Sequence, residues 1–150
     1  MSIWRASTNK RAVMSVLFDT NVVLDVLLAR KPFAAASNAC FLQVEDGQLR
    51  GLLGATTVTT LDYLVSGALG TAKSRQHIQR LLNLFDVAPV NRAVLVAAAT
   101  SNLKDFEDAV LAEAARACGG SAIITRNAKD FVGCGLGVYT PLEWLAGQGQ

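Results

Sequence analysis

Along the chain, short apolar runs bounded by small or polar residues alternate with longer segments in which apolar positions recur every three or four residues. The first pattern marks buried strands and the second marks helices with one apolar face. Strands are predicted near 15–19, 51–55, 85–90, 121–125 and 137–140, and helices over 22–29, 33–46, 57–68, 71–84, 92–101, 106–118 and 141–146. Such alternation predicts an α/β fold whose parallel sheet is covered by helices on both faces. The last helix is sharply marked, because Thr140 can cap it, Pro141 suits its first position and Glu143 completes a capping box. Alanines at 109, 112, 114 and 115 allow close packing of helix on sheet. Residues 1–14 are polar and mildly basic without periodicity and read as a flexible leader, residues 15–146 as one domain, and residues 147–150 as a short tail.

A length of 150 residues with 51% hydrophobic content suits one packed core. No apolar run is long enough for a membrane span, and the start lacks the apolar stretch of a secretory signal, so a soluble, cytoplasmic protein is expected. Cys40, Cys118 and Cys134 are odd in number and widely spaced, which predicts reduced core residues rather than a disulfide framework or zinc site. With His77 the lone histidine, a histidine-based metal site is set aside. The net charge of +2 does not by itself mark a nucleic-acid binder, although Arg30, Lys31, Arg126 and Lys129 are among the cations available to line a basic surface.

The informative residues are acids that punctuate the apolar pattern. Asp19 follows Val16-Leu17-Phe18 and precedes Thr20-Asn21, which places it at the carboxyl end of a central strand, where open parallel sheets bind ligands. Asn21 reads most simply as a helix cap. Asp105 and Asp108 lie three apart on one face of a helix that begins there, whereas Glu107 points away and reads as solvated. Asn127 and Asp130 follow the apolar run ending at Ile124 and emerge at the same sheet edge as Asp19 if the strands are parallel. Helix capping remains open for Asp19, Asp105, Asp108 and the Asn127–Asp130 pair, and Arg126 suits either a phosphate contact or an ion pair with one of these acids. Convergence favours chemistry: carboxylates brought together repel unless a cation intervenes. An all-oxygen set without His or Cys selects Mg²⁺ or Mn²⁺. Such an ion activates water for phosphodiester hydrolysis.

These strings resemble PIN domains, in particular VapC-type and PilT N-terminus-like proteins. The resemblance covers nearly all of residues 15–145 and rests on Leu17-Phe-Asp-Thr-Asn-Val-Val-Leu-Asp, Asp105-Phe-Glu-Asp-Ala-Val, Ile124-Thr-Arg-Asn-Ala-Lys-Asp-Phe and Thr140-Pro-Leu-Glu-Trp-Leu. It implies a three-layer α/β/α sandwich around a central parallel sheet. It also implies a Mg²⁺- or Mn²⁺-dependent ribonuclease acting on RNA, often a homodimer and commonly neutralised by a cognate antitoxin. By the same resemblance Asp19 matches the first metal-binding acid, Asp108 the acid of the later helix, Asn127 a position where many members have a fourth acid, and Asp105 and Asp130 acids of a subgroup. The family's second acid is replaced by Thr60, with Asp62 two residues away and turned elsewhere. Two other readings stand beside this one. Asp19 could serve as a phosphoryl-accepting nucleophile, although Asn21 stands where such phosphatases carry a second Asp. Alternatively, the domain binds RNA or a protein partner without cutting.

Overall fold

The computed structural model describes residues 13–148, so residues 1–12 of the expected leader and residues 149–150 of the expected tail lie outside the described residues. Strand β1 (Ser15–Phe18) sends Val16 and Phe18 into one apolar cluster and Leu17 into another. A strand buried on both faces must be central, and it is. Helices α1 (Thr20–Leu27) and α2 (Ala34–Glu45) follow, then β2 (Arg50–Gly54), α3 (Ala55–Leu69), α4 (Thr71–Leu84), β3 (Asp86–Ala88), α5 (Arg92–Ala99) and α6 (Phe106–Ala117). The chain closes with β4 (Ala122–Ile124), a 3₁₀ turn over Ala128–Phe131, β5 (Gly137–Tyr139) and α7 (Pro141–Gln148).

All four strand pairings are parallel, in the order β3-β2-β1-β4-β5. The chain winds outward from β1 to β3, then returns past β1 to add β4 and β5. The order reverses between β1 and β4, and a crevice opens there at the carboxyl ends of the strands. One sheet face carries α1, α2, α3, α4 and α7 through residues such as Val23, Val44, Leu61, Leu81 and Trp144. The other carries α5, α6 and the 3₁₀ turn through Val94, Ala98, Val110, Leu111 and Phe131. The expected three-layer α/β/α sandwich with a central parallel sheet is thus what the chain forms. None of the helices among the described residues is long and apolar enough to cross a membrane. All three cysteines are free thiols.

Boundaries move where caps and rings decide them. Helix α1 starts at Thr20 instead of 22 because Asp19 occupies the cap, and α3 starts at Ala55 instead of 57, directly after β2. Strand β3 shortens from the expected 85–90 to Asp86–Ala88, since Phe85 ends α4 and Pro89 has no N–H for a ladder. Helix α7 runs on to Gln148, and the Thr140–Glu143 capping box is formed, with Glu143 N donating to Thr140 Oγ1 at 3.1 Å and Thr140 N to Glu143 Oε1 at 2.9 Å.

Phe18, Phe41 and Phe85 meet edge to face with ring centroids 5.1–5.6 Å apart. Gly51 of β2 lets this cluster close, because a Cβ there would lie 2.6 Å from the Phe85 ring. Gly51→Ala is therefore expected to destabilise by about 2 kcal/mol, the usual cost of overpacking a filled core. Urea titration checks this, and an unchanged midpoint would mean that the rings relax freely.

Candidate functional site

The β1–α1 junction is built on Asp19. Its backbone N–H donates to Ile124 O at 2.9 Å, extending the β1–β4 pairing by one residue. Its Oδ1 accepts from Thr20 N at 2.7 Å, and its Oδ2 accepts from Thr125 Oγ1 at 2.7 Å and Asn21 Nδ2 at 3.3 Å. A conventional cap would satisfy the N–H of the second or third helical residue; this carboxylate instead turns across the sheet. Burial raises the Asp19 pKa; the bonds from Thr125 and Thr20 oppose that rise, and the charges of Glu107 and Asp130 add to it.

Asn21 is not the cap the sequence suggested. It lies inside α1, and its Oδ1 accepts from Arg126 N at 3.2 Å, tying the first turn to the turn after β4. Thr125, fully buried, completes the link: its hydroxyl donates to Asp19 and accepts from Asn127 N at 3.0 Å. Sequence reasoning assigned Thr125 no role. The available signal was its place directly after the β4 run, since the register pairs Phe18 with Ile124 and so sets Thr125 beside Asp19.

Asp105 caps α6, its Oδ1 accepting from Asp108 N at 2.9 Å, so the capping role left open for it is real. It also lines the cleft, together with Asp108. The Asp108 carboxyl is half-buried and pushed up to about 7, first by burial and then by the charges of Asp105, Asp19, Asp130 and Glu107. Glu107, expected to point away, lines the same cleft while remaining exposed, because the first turn of α6 stands at its rim. Asn127 and Asp130 also line it; Asn127 makes no side-chain cap to the 3₁₀ turn, whose backbone bond from Asp130 N to Asn127 O is 2.9 Å long. The capping alternative therefore does not account for the Asn127 side chain.

Asp19, Asp105, Asp108, Asn127 and Asp130 thus all open onto one cleft of about 330 Å³. Thr60 lines it too, its hydroxyl donating to Thr56 O at 3.0 Å, where the resemblance had led us to look for an acid. Asp62 is turned away and accepts from Ser74 Oγ at 2.8 Å. The oxygen-only donor set and its mutually repelling carboxyls fit a hard divalent cation in kind. Among the described residues, however, no three acidic, histidine or cysteine side chains converge closely enough to form a ready-made metal site.

Beneath the cleft lies a residue that sequence reasoning missed. Asp25 is fully buried and accepts from Arg30 Nε at 2.8 Å and Arg126 Nε at 2.6 Å. Arg126 therefore pairs with an acid outside the four expected ones, and its guanidinium stacks on Phe33, 4.0 Å from the ring centroid. Asp25 closes the first of the strings that carry the family resemblance, but sequence reasoning gave it no role, because both of its arginine partners come from outside its helix.

Comparison with known proteins places the fold. A family model described as PIN domain matches residues 15–129. No curated protein matches the chain. A toxin–antitoxin complex from Klebsiella pneumoniae superposes with a TM-score of 0.65 at 22% identity, over 84% of this chain and 97% of that one. DNA-bound VapBC from Salmonella typhimurium gives 0.66 at 15% identity, over 86% and 99%. A VapC toxin from Mycobacterium tuberculosis that cleaves the sarcin-ricin loop gives 0.58 at 11% identity, over 72% and 86%. The structures share the fold, and the sequence match over residues 15–129 shows that this chain belongs to the PIN domain family.

Proposed function

We propose that the chain is a metal-dependent ribonuclease of the VapC toxin type, hydrolysing RNA phosphodiester bonds. One observation carries this reading: Asp19 and Asp108, far apart in the chain, share one cleft in which burial and neighbouring carboxylates raise both from their ordinary values. A cluster strained in this way is relieved by a cation. Asp19, Asp105, Asp108 and Asp130 would hold Mg²⁺ or Mn²⁺, which when bound supplies an activated water and charge neutralisation at the phosphate. Asn127 would orient the substrate with its amide. Thr125 and Asn21 hold the Asp19 carboxylate by hydrogen bonds, so an ion held there would meet a preset oxygen rather than a mobile one. A toxin that cleaves the sarcin-ricin loop and toxin–antitoxin complexes are among the structures with this fold, which supports an RNA substrate and an antitoxin partner here, while a homodimer rests on the family resemblance alone.

Thr60 on the cleft wall, and the absence of a closed three-acid group among the described residues, favour a second reading, a module that binds RNA or a protein partner without cutting. One experiment separates the two: incubation of purified protein with mixed RNA in Mg²⁺, in Mn²⁺ and in chelator. Cleavage in metal and none in chelator is expected. Binding without cleavage in either metal would select the second reading, and cleavage in chelator would exclude the metal.

Thermal melting gives a check independent of activity. A site binding only the native state raises stability by about 2.7 kcal/mol at one hundred times Kd. For a domain of this size that corresponds to a midpoint increase of roughly 5–10 °C. No rise at millimolar Mn²⁺ would count against a site formed by these acids.

A further inference from the structure

The cleft is acidic, yet the proposed substrate is a polyanion, so the strand beside the reacting phosphate needs a cation to hold it. Arg30 lines the cleft wall beside Asp19 and Asn21, while Lys104 and Lys129 line an adjoining concavity that shares Asp105, Asp108 and Asp130. The placement of Arg30 is built into the chain. Helix α1 ends with Ala29 in the left-handed region at φ 51°, and Ala29 N and Arg30 N donate back to Val26 O at 3.2 Å and Asp25 O at 2.9 Å. This double return is a Schellman closure, which folds the residue after the turn back over the helix end. Arg30 is thereby carried onto Asp25, whose buried carboxylate takes its Nε. Its two terminal nitrogens make no hydrogen bond among the described residues, and the side chain is 38% exposed.

A cation on the wall of the cleft, its Nε anchored on a buried carboxylate and its terminal nitrogens free, is placed for a phosphate neighbouring the one that reacts.

We propose that Arg30 binds an RNA phosphate adjacent to the scissile one, with Asp25 as its positioning residue; this rests on the ribonuclease reading above. Arg126 provides the internal control, because it shares Asp25 but lines a separate concavity with Phe33, Pro141 and Leu142.

The test is equilibrium binding of a labelled single-stranded oligoribonucleotide in Mg²⁺ across a salt series, on the Asp108→Asn background so that the strand stays uncut. Arg30→Ala is expected to weaken binding about tenfold and to make the salt slope shallower by about 0.7, the share of one single-strand phosphate contact. Arg30→Lys keeps the slope but loses part of the affinity with the fork. Arg126→Ala lowers the melting midpoint and changes affinity less than twofold. Unchanged binding in Arg30→Ala, or equal losses in Arg30→Ala and Arg126→Ala, would overturn the assignment while leaving the ribonuclease reading in place. Failure of both the wild-type chain in chelator and the Asp108→Asn parent to bind any RNA would instead remove that reading, and this inference with it.

Discussion

Asp108→Asn is expected to lower RNA cleavage by on the order of 100-fold or more, as loss of a metal-holding group or its support does, and at the same time to make the metal-free protein more stable near neutral pH. The two effects share one cause. With a folded-state value of about 7 against 3.8 for the free side chain, Asp108 binds its proton more tightly when folded. Between those values the native state holds more protons than the unfolded one, so stability falls as pH rises through this window. Below about 4 both states are protonated and the penalty is absent; above about 7 it is complete. The whole shift corresponds to about 4 kcal/mol, but solvent and salt reach the half-open cleft and reduce the expected gain to on the order of 1 kcal/mol.

Melting in chelator from pH 4 to 8 should show the wild-type midpoint declining relative to Asp108→Asn, and parallel curves would contradict this. Asp108 is the cleaner site for the experiment. Asp19 accepts from three donors, so an amide there would turn an N–H toward one of them and offset the relief of charge.

Asp25→Ala should produce the largest loss of stability, about 3 kcal/mol, at the lower end of the 3–5 kcal/mol typical of broken buried pairs. The two sides of this pairing differ in burial. Asp25 is fully buried, whereas Arg30 and Arg126 keep 38% and 28% of their side chains exposed and can recover some hydration once it is gone. What remains is the lost double pairing and a cavity below the cleft. In urea the midpoint should fall without a change in slope. A loss below about 1 kcal/mol would mean that the pair only offsets its own desolvation. Because Asp25 also joins the end of α1 to the turn after β4, its removal should loosen Asn21 and Arg126 and weaken cleavage as well.

Much of this site was legible because its acids interrupt short-range patterns. Asp19 stops an apolar run, Asp105 and Asp108 open a helix, and Asn127 and Asp130 follow the next buried strand. Such signals depend on neighbours a few residues away, and the hydrophobic pattern that places strands and helices depends on the same range, so the parallel sheet and its acidic edge could be read from the chain alone. Thr60 was legible only through the family resemblance, as a hydroxyl where the family carries a carboxylate.

Glu107, Thr125 and Asp25 were not legible, each for a reason of distance. Glu107 reads as solvated on its own helix, and only the approach of α6 to β1 brings its charge near Asp19. Thr125 matters because the parallel register aligns it with a residue more than a hundred positions earlier. Asp25 is an ordinary helix acid until the end of α1 and the turn after β4 both bring an arginine to it. Local sequence therefore determined the elements and most of the acids at the sheet edge. Which of those acids are buried, what they pair with and how their protons are held was decided by tertiary packing, because burial and charge coupling depend on separation in space rather than along the chain.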